Sequence, residues 1–157
     1  MAEELKTAVA GTKKYKDFIF AVGRRRSAVA RVRIYQKAPD NLKFGEYLVK
    51  KGDFVVNGKN INAYFSGVVS KAVYEEPFKL VDAVNKYTVT AKVAGGGLTA
   101  QLGAFILGAS RALVAIDEAN KPILRKRGLL TRDQRVRERR KVGMGGKARR
   151  RKQSPKR

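Results

Sequence analysis

The sequence predicts one small domain of mixed strands and helices, followed by a strongly basic C-terminal tail. Three observations predict this organisation. Apolar residues alternate with polar or basic residues over positions 28–35 and 87–94, which is the period of a half-buried strand. Apolar residues recur every three or four positions from Leu98 to Ile116, which is the period of a helix. Positive charge is concentrated after residue 120, where the sequence has 17 basic residues and only two acidic residues.

Composition excludes most enzyme chemistry. The 157 residues include 36 Lys and Arg against 13 Asp and Glu, for a formal net charge of +23. The chain has neither cysteine nor histidine, which excludes a disulfide framework, a thiolate or imidazole metal site and a histidine-backed nucleophile. It shows no signal peptide and no apolar run approaching the ~18 residues that span a membrane. We therefore expect a cytoplasmic protein that is not an enzyme and holds no cofactor or metal.

Three segments follow from composition. They are a polar leader over residues 1–16, a globular domain over 17–128 and a basic extension and tail over 129–157. Beyond Val142 the tail has only Met144 and Ala148 to bury, so hydrophobic burial does not offset the entropy of ordering it. We expect the tail to order only when it binds a polyanion.

Two strands are predicted near the start of the domain. The first covers residues 18–22. The second covers residues 28–35 and places small apolar side chains on one face and Arg31 and Arg33 on the other. Three adjacent arginines at 24–26 repel one another between these strands, and a bound anion would relieve that repulsion.

Besides helical stretches over residues 61–73 that Gly67 interrupts, three shorter helices are predicted. Proline near a first turn predicts a helix over residues 77–84, and a short helix is predicted over residues 122–126. A capping-box pattern at residues 131–134 predicts a third helix, which begins at Thr131 and ends near Arg140. Since Val136 is its only apolar residue, we expect this helix to face water or RNA phosphate.

Basic residues recur in three groups, and arginine predominates in them, which favours bidentate contact with phosphate over simple solubility. Aromatic partners for stacked bases are few, so we expect recognition of the backbone and shape of folded RNA. The candidate phosphate-binding residues are Arg24, Arg25, Arg26, Arg31 and Arg33 near the first strands, Arg125, Arg127, Arg132 and Arg135 after the long helix, and Arg139, Arg140, Lys141, Lys147, Arg149, Arg150 and Arg151 in the tail.

Other classes of protein are compatible with such a charge. A DNA-organising protein would suit it equally well, but it would need paired arms and an apolar wedge that this tail lacks. An RNA-processing enzyme would need a base or a metal site, and the close carboxylate pairs, Glu75-Glu76 and Asp117-Glu118, are adjacent residues that do not face each other on a helix. A tail that is merely solvated is the simplest alternative.

Several motifs closely resemble the small-subunit ribosomal protein nine family, and their order and spacing run from Phe18 to Arg157. The motifs are Ala21-Val22-Gly23-Arg24-Arg25-Arg26-Ser27-Ala28-Val29-Ala30-Arg31-Val32, Val56-Asn57-Gly58-Lys59, Tyr64-Phe65, Gly95-Gly96-Gly97 with Gln101, Ser110-Arg111-Ala112-Leu113, Leu130-Thr131-Arg132-Asp133 and Glu138-Arg139-Arg140-Lys141.

The resemblance implies an α+β fold with a two-layer architecture: a four-stranded sheet, helices on one face and a left-handed β-α-β crossover, like the second domain of ribosomal protein five. It also implies a place in the head of the small ribosomal subunit beside neighbouring head proteins, where the candidate residues bind the three-prime domain of the ribosomal RNA. Lys156 and Arg157 match the terminal pair that approaches peptidyl-site transfer RNA, although Ser154-Pro155 replaces the usual Phe-Ser before them. We expect neither a membrane partner nor a homo-oligomer. The bacterial type is favoured, and a plastid ribosome is an alternative location.

Overall fold

Seven strands and four helices follow one another in the computed structural model, which describes residues 18–37, 42–45, 47–136 and 139. The strands are β1 (Phe18–Arg25), β2 (Ala28–Tyr35), β3 (Lys43–Phe44), β4 (Tyr47–Leu48), β5 (Phe54–Val56), β6 (Lys59–Asn60) and β7 (Thr88–Ala94). The helices are α1 (Ile61–Tyr64), α2 (Val68–Leu80), α3 (Leu98–Ile116) and α4 (Asn120–Lys126).

The main sheet has the strand order β1-β2-β7-β5-β6, and β3 pairs with β4 in a separate hairpin. All pairs in the main sheet are antiparallel except β5 and β7, which are parallel and are joined through α1 and α2. The expectation of four strands is corrected to five among the described residues. The fifth strand, β6, arises because the turn at Asn57-Gly58 returns the chain beside β5 for two residues.

Both long helices pack on one face of the sheet. The alternating residues of β2 that point to this face are completely buried, as its period-2 pattern predicts; they are Ala28, Ala30, Val32 and Ile34. Phe54 of β5 packs against Phe78 of α2, with 4.6 Å between the ring centroids. The core therefore lies between one sheet face and the layer formed by α2 and α3.

Helix α3 approaches β1 closely because glycine stands on both sides of the contact. A Cβ on Gly23 would lie 1.9 Å from the Ala104 carbonyl oxygen, and a Cβ on Gly108 would lie 2.7 Å from Val32 Cγ2. Strand β1 also continues through Gly23 to Arg25, past its predicted end. The missing side chain at Gly23 thus serves packing and does not end the strand.

Helix α3 is long and apolar enough to cross a membrane. This finding corrects the expectation that no apolar segment approaches the length of a membrane-spanning helix. Half of that segment is buried inside the protein, and it packs against β1 and β2. The helix is thus the core helix of this domain, a role that gives the same apolar composition.

One hydrogen-bond network joins motifs that lie far apart in the sequence. The Asn57 side chain accepts from the Val93 N–H at 2.8 Å and donates to the Val93 carbonyl at 2.9 Å. It also donates to the Tyr64 hydroxyl, which donates to Gln101 Oε1 at 2.9 Å. Gln101 in turn donates to the carbonyl of Gly95. These motif residues therefore hold the sheet, α1 and the start of α3 together.

The helix predicted over residues 77–84 is wrong in its position. Helix α2 begins at Val68, directly after Gly67, whose φ of 116° allows the chain to change direction there. Pro77 lies in the last turn, where its ring is buried and only one backbone hydrogen bond is forgone. The helix predicted over residues 122–126 is present, and it begins two residues earlier at Asn120.

Candidate nucleic-acid interface

The sheet face opposite the helices carries exposed cations. We call this surface the open face, and it comprises alternate residues of β1, β2 and β7: Phe18, Phe20, Val22 and Arg24, then Arg31 and Arg33, then Lys92. All four cations on it are exposed. Further along the same face, Val55, Thr88 and Thr90 are buried, so the accessible part is the part made by β1, β2 and the end of β7.

Arg25 differs from its neighbour Arg24 because it lies on the helix side of β1. Its Nη2 lies 3.2 Å from Asp133 Oδ2, and its Nη1 donates to the Thr99 carbonyl at 3.3 Å. Its stem crosses Gly103, where an added Cβ would lie 2.5 Å from Arg25 Cδ. The guanidinium of Arg25 therefore donates to Asp133 and to the Thr99 carbonyl within the domain. These contacts do not support its candidate role in RNA binding.

Asp133 anchors the start of the basic extension. Its carboxylate accepts from Arg135 Nε at 2.9 Å and Arg135 Nη2 at 2.8 Å, and also from Arg25. Hydrogen bonds from Arg135, followed by those from Arg25, hold the pKa of Asp133 well below its usual range. Leu129 and Leu130 pack against the core just before it. Residues 129–133 are thus held to the domain by packing and by an ion pair.

The helix predicted from Thr131 is wrong for the residues that the structure describes there. Residues 131–136 form no helix, and the Asp133 carboxylate binds two arginine side chains. A segment with Val136 as its only apolar residue gains little by packing as a helix, while the contact with Arg25 fixes another conformation. Two of the candidate phosphate-binding residues, Arg25 and Arg135, are therefore paired with a carboxylate.

The other candidates in the first two groups are exposed. Arg26 occupies the β1–β2 turn with a φ of 51°, and Arg125, Arg127 and Arg132 lie on or after the last turn of α4. Arg139 is also exposed. The remaining candidates lie outside the described residues, and they are Arg140, Lys141, Lys147, Arg149, Arg150, Arg151, Lys156 and Arg157.

Lys92 and Phe20 belong to the same surface and were not among the sequence-predicted residues. Lys92 is the register partner of Arg31, and Phe20 is the register partner of Arg33. The alternation of β7 places Lys92 on the polar side of its strand, but only the pairing of β7 with β2 places it beside an arginine.

A small domain of mixed strands and helices with exposed cations on an open sheet face is typical of the class of nucleic-acid-binding proteins. Residues 23–157 match the profile of a family described as Ribosomal protein S9/S16. The chain is 43% identical over 125 residues to the small ribosomal subunit protein uS9 of Anaeromyxobacter sp. (strain K), which covers 80% of this chain and 86% of that one. It is 41% identical to the protein of that name from Cutibacterium acnes, over 79% of this chain and 65% of the relative.

The chain belongs to the ribosomal protein S9/S16 family. It is therefore a structural, non-enzymatic constituent of the small ribosomal subunit and is located in the ribosome within the cytoplasm. As such it associates with ribosomal RNA and with other ribosomal proteins. This membership decides against the DNA-organising protein and the RNA-processing enzyme, and it confirms the resemblance found in the sequence motifs.

Proposed function

We propose that the chain lies in the head of the small subunit, binds the three-prime domain of its ribosomal RNA through the domain and the extension, and contacts peptidyl-site transfer RNA with Lys156 and Arg157. The crossover from β5 to β7 is left-handed in this proposal, as in the second domain of ribosomal protein five. The proposal goes beyond family membership in naming the RNA domain, the transfer RNA and the residues.

The observation that carries the proposal is the placement of exposed cations without an acidic partner among the described residues. None of the described salt bridges includes Arg24, Arg31 or Arg33, whereas the acidic residues Glu75 and Glu118 are paired with lysines. Guanidinium groups that lack carboxylate partners are available to phosphate oxygens, which they bind in bidentate geometry.

The anchored extension gives the second line of support. Asp133 is held to Arg25 and Leu130 packs on the core, so both contacts fix the described part of the extension to the domain. Eleven basic side chains and one acidic side chain follow residue 136 in the sequence, so this part of the chain is strongly cationic. Such a segment gains affinity for RNA by releasing counterions from it.

The test for the domain is binding of the full chain to small-subunit ribosomal RNA, measured by filter binding across a series of salt concentrations. Arg31→Gln and Arg33→Gln should each weaken binding and lower the salt slope by about 1. Lys121→Gln is the matched control, because Lys121 is an exposed cation already paired with Glu118 at 3.2 Å. An Arg31 or Arg33 variant that behaves like Lys121→Gln would contradict the proposal for this surface.

The test for the tail is a chain that ends at Pro155. We expect it to assemble into small subunits normally and to weaken binding of peptidyl-site transfer RNA by roughly tenfold, since two charge-assisted contacts are lost. Purified subunits carrying either chain are compared for transfer RNA affinity. Unchanged affinity would remove the transfer RNA contact from the proposal and leave the ribosomal RNA contact in place.

A further inference from the structure

The open face carries like charges side by side. Arg31 of β2 is directly opposite Lys92 of β7, and Arg33 is two residues further along the same strand. Like charges directly opposite each other destabilise a sheet. No described salt bridge includes any of these three cations, and all three are exposed. A bound polyanion would remove this repulsion.

The open face also carries an aromatic side chain in an unusual place. Phe20 is 51% exposed, although it sits in the middle of a strand whose other face is covered. Its neighbour two residues away, Phe18, lies under the guanidinium of Arg33, whose Cζ is 4.9 Å from the ring centroid. This cation–π contact orients Arg33 over the sheet, beside its register partner Phe20.

We propose that the open face binds an unpaired stretch of RNA, with one base stacked on Phe20 and the adjacent phosphates on Arg31, Arg33 and Lys92. This inference rests on the proposed binding of ribosomal RNA and deepens it, because it names the RNA structure, a stacking residue and a phosphate contact on β7. It also departs from the expectation that only the backbone and shape of folded RNA are read.

Single-stranded RNA fits this surface better than a duplex or an acidic protein does. An exposed ring on a flat sheet offers a stacking platform, and only an unpaired base presents a free face to it. A duplex would satisfy the cations and leave Phe20 against water or sugar. An acidic protein surface would satisfy the cations too, but it would gain nothing specific from a ring flanked by guanidinium groups.

The chain contains no tryptophan, so a single one introduced at position 20 reports on this surface alone. Full-length Phe20→Trp is titrated with a single-stranded RNA oligonucleotide, and the quenching of tryptophan fluorescence is measured. Val68→Trp is the matched control, since Val68 is 87% exposed on α2, which packs against the opposite face of the sheet. We expect strong quenching at position 20 and little at position 68.

Further variants test the individual contacts. In the Phe20→Trp background, Lys92→Gln and Arg33→Gln should each lower the salt slope of binding by about 1. In the natural background, Phe20→Ala should weaken binding of the single-stranded oligonucleotide by roughly fivefold to a hundredfold and should leave duplex binding unchanged. Far-ultraviolet circular dichroism of each variant confirms that the sheet is intact.

Several outcomes would overturn the inference. Equal quenching by duplex RNA would remove the stacking role, and quenching by polyglutamate in place of RNA would assign the face to an acidic protein. If the fluorescence of Phe20→Trp does not respond although filter binding to small-subunit ribosomal RNA is retained, this surface is wrong and the proposed function stands. If the natural chain does not bind small-subunit ribosomal RNA in the filter assay, the proposed function itself is overturned.

Discussion

Two adjacent arginines of β1, Arg24 and Arg25, lie on opposite faces of the sheet and differ in their contacts. Arg24 lies on the open face and is exposed, whereas Arg25 lies on the helix side and bonds to Asp133 and Thr99. The same contrast holds for the two faces as a whole. The helix side is packed so closely that glycine is required in it, while the open face leaves cations and one ring to solvent. Charge alone therefore does not distinguish an arginine that is open to solvent from one that holds the domain together, whereas the face of the strand does.

The largest expected effect lies on the packed face. Gly23→Ala should lower the free energy of unfolding by about 3 kcal/mol, because its Cβ would lie 1.9 Å from the Ala104 carbonyl oxygen and the helix would have to move. Chemical denaturation measures this loss. The control is Gly97→Ser, which adds a Cβ in open space at a helix N-cap, where serine is well suited. Equal stabilities of the two variants would show that the contact between β1 and α3 at Gly23 has room for a side chain.

A smaller effect separates the two arginines. Arg25→Ala should lower the free energy of unfolding by about 1 kcal/mol, since its stem packs over Gly103 and its guanidinium holds the extension. Arg24→Ala should leave stability within about 0.5 kcal/mol of the natural chain and weaken binding to ribosomal RNA instead. Denaturation and filter binding on the same samples test both. The distinction between the faces fails if the two variants show the same pattern.

The smallest expected effect is on the stability of the fold at acidic pH. Because the pKa of Asp133 is lowered in the folded chain, its contribution to stability is fully present above the ordinary aspartate pKa of about 4 and is lost as the pH falls below it. Asp133→Asn should remove this contribution and flatten the dependence of the unfolding midpoint on pH between about 5 and 2. The Asp133 side chain keeps about a quarter of its surface in contact with solvent, which screens the ion pairs, so the change is small. A variant with an unchanged acid slope would show that the carboxylate does not hold the extension.

Much of the fold could be predicted from local patterns. The alternation of β2 placed Ala30 and Val32 inside and Arg31 outside, and the spacing from Leu98 to Ile116 gave the long helix. These patterns suffice because a half-buried element repeats its burial with its own period. The motifs then identified the family, which the comparisons confirm.

The errors have long-range causes. Asp133 looked like part of a helix start because its partner Arg25 is 108 residues away in the sequence. Pro77 resembles a helix start because proline favours a first turn, whereas α2 begins nine residues earlier, directly after Gly67. Lys92 and Phe20 escaped notice because each becomes part of the basic surface only through the register of three strands. The hand of the crossover and the RNA-binding roles of all the candidate residues stay predictions.

The pairing of β2 with β7 has a consequence for synthesis of the chain. Tyr35 pairs with Thr88, and Val29 pairs with Ala94. One edge of β2 therefore stays unpaired until β7 is translated. Ribosomes add roughly 5–20 residues per second, so the interval between Tyr35 and Ala94 is about 3–12 s. During that time Arg31 and Arg33 lie along an unpaired edge, where charge discourages pairing with another nascent chain. Charge at Arg31 and Arg33 thus disfavours pairing of this edge with another chain until β7 is in place.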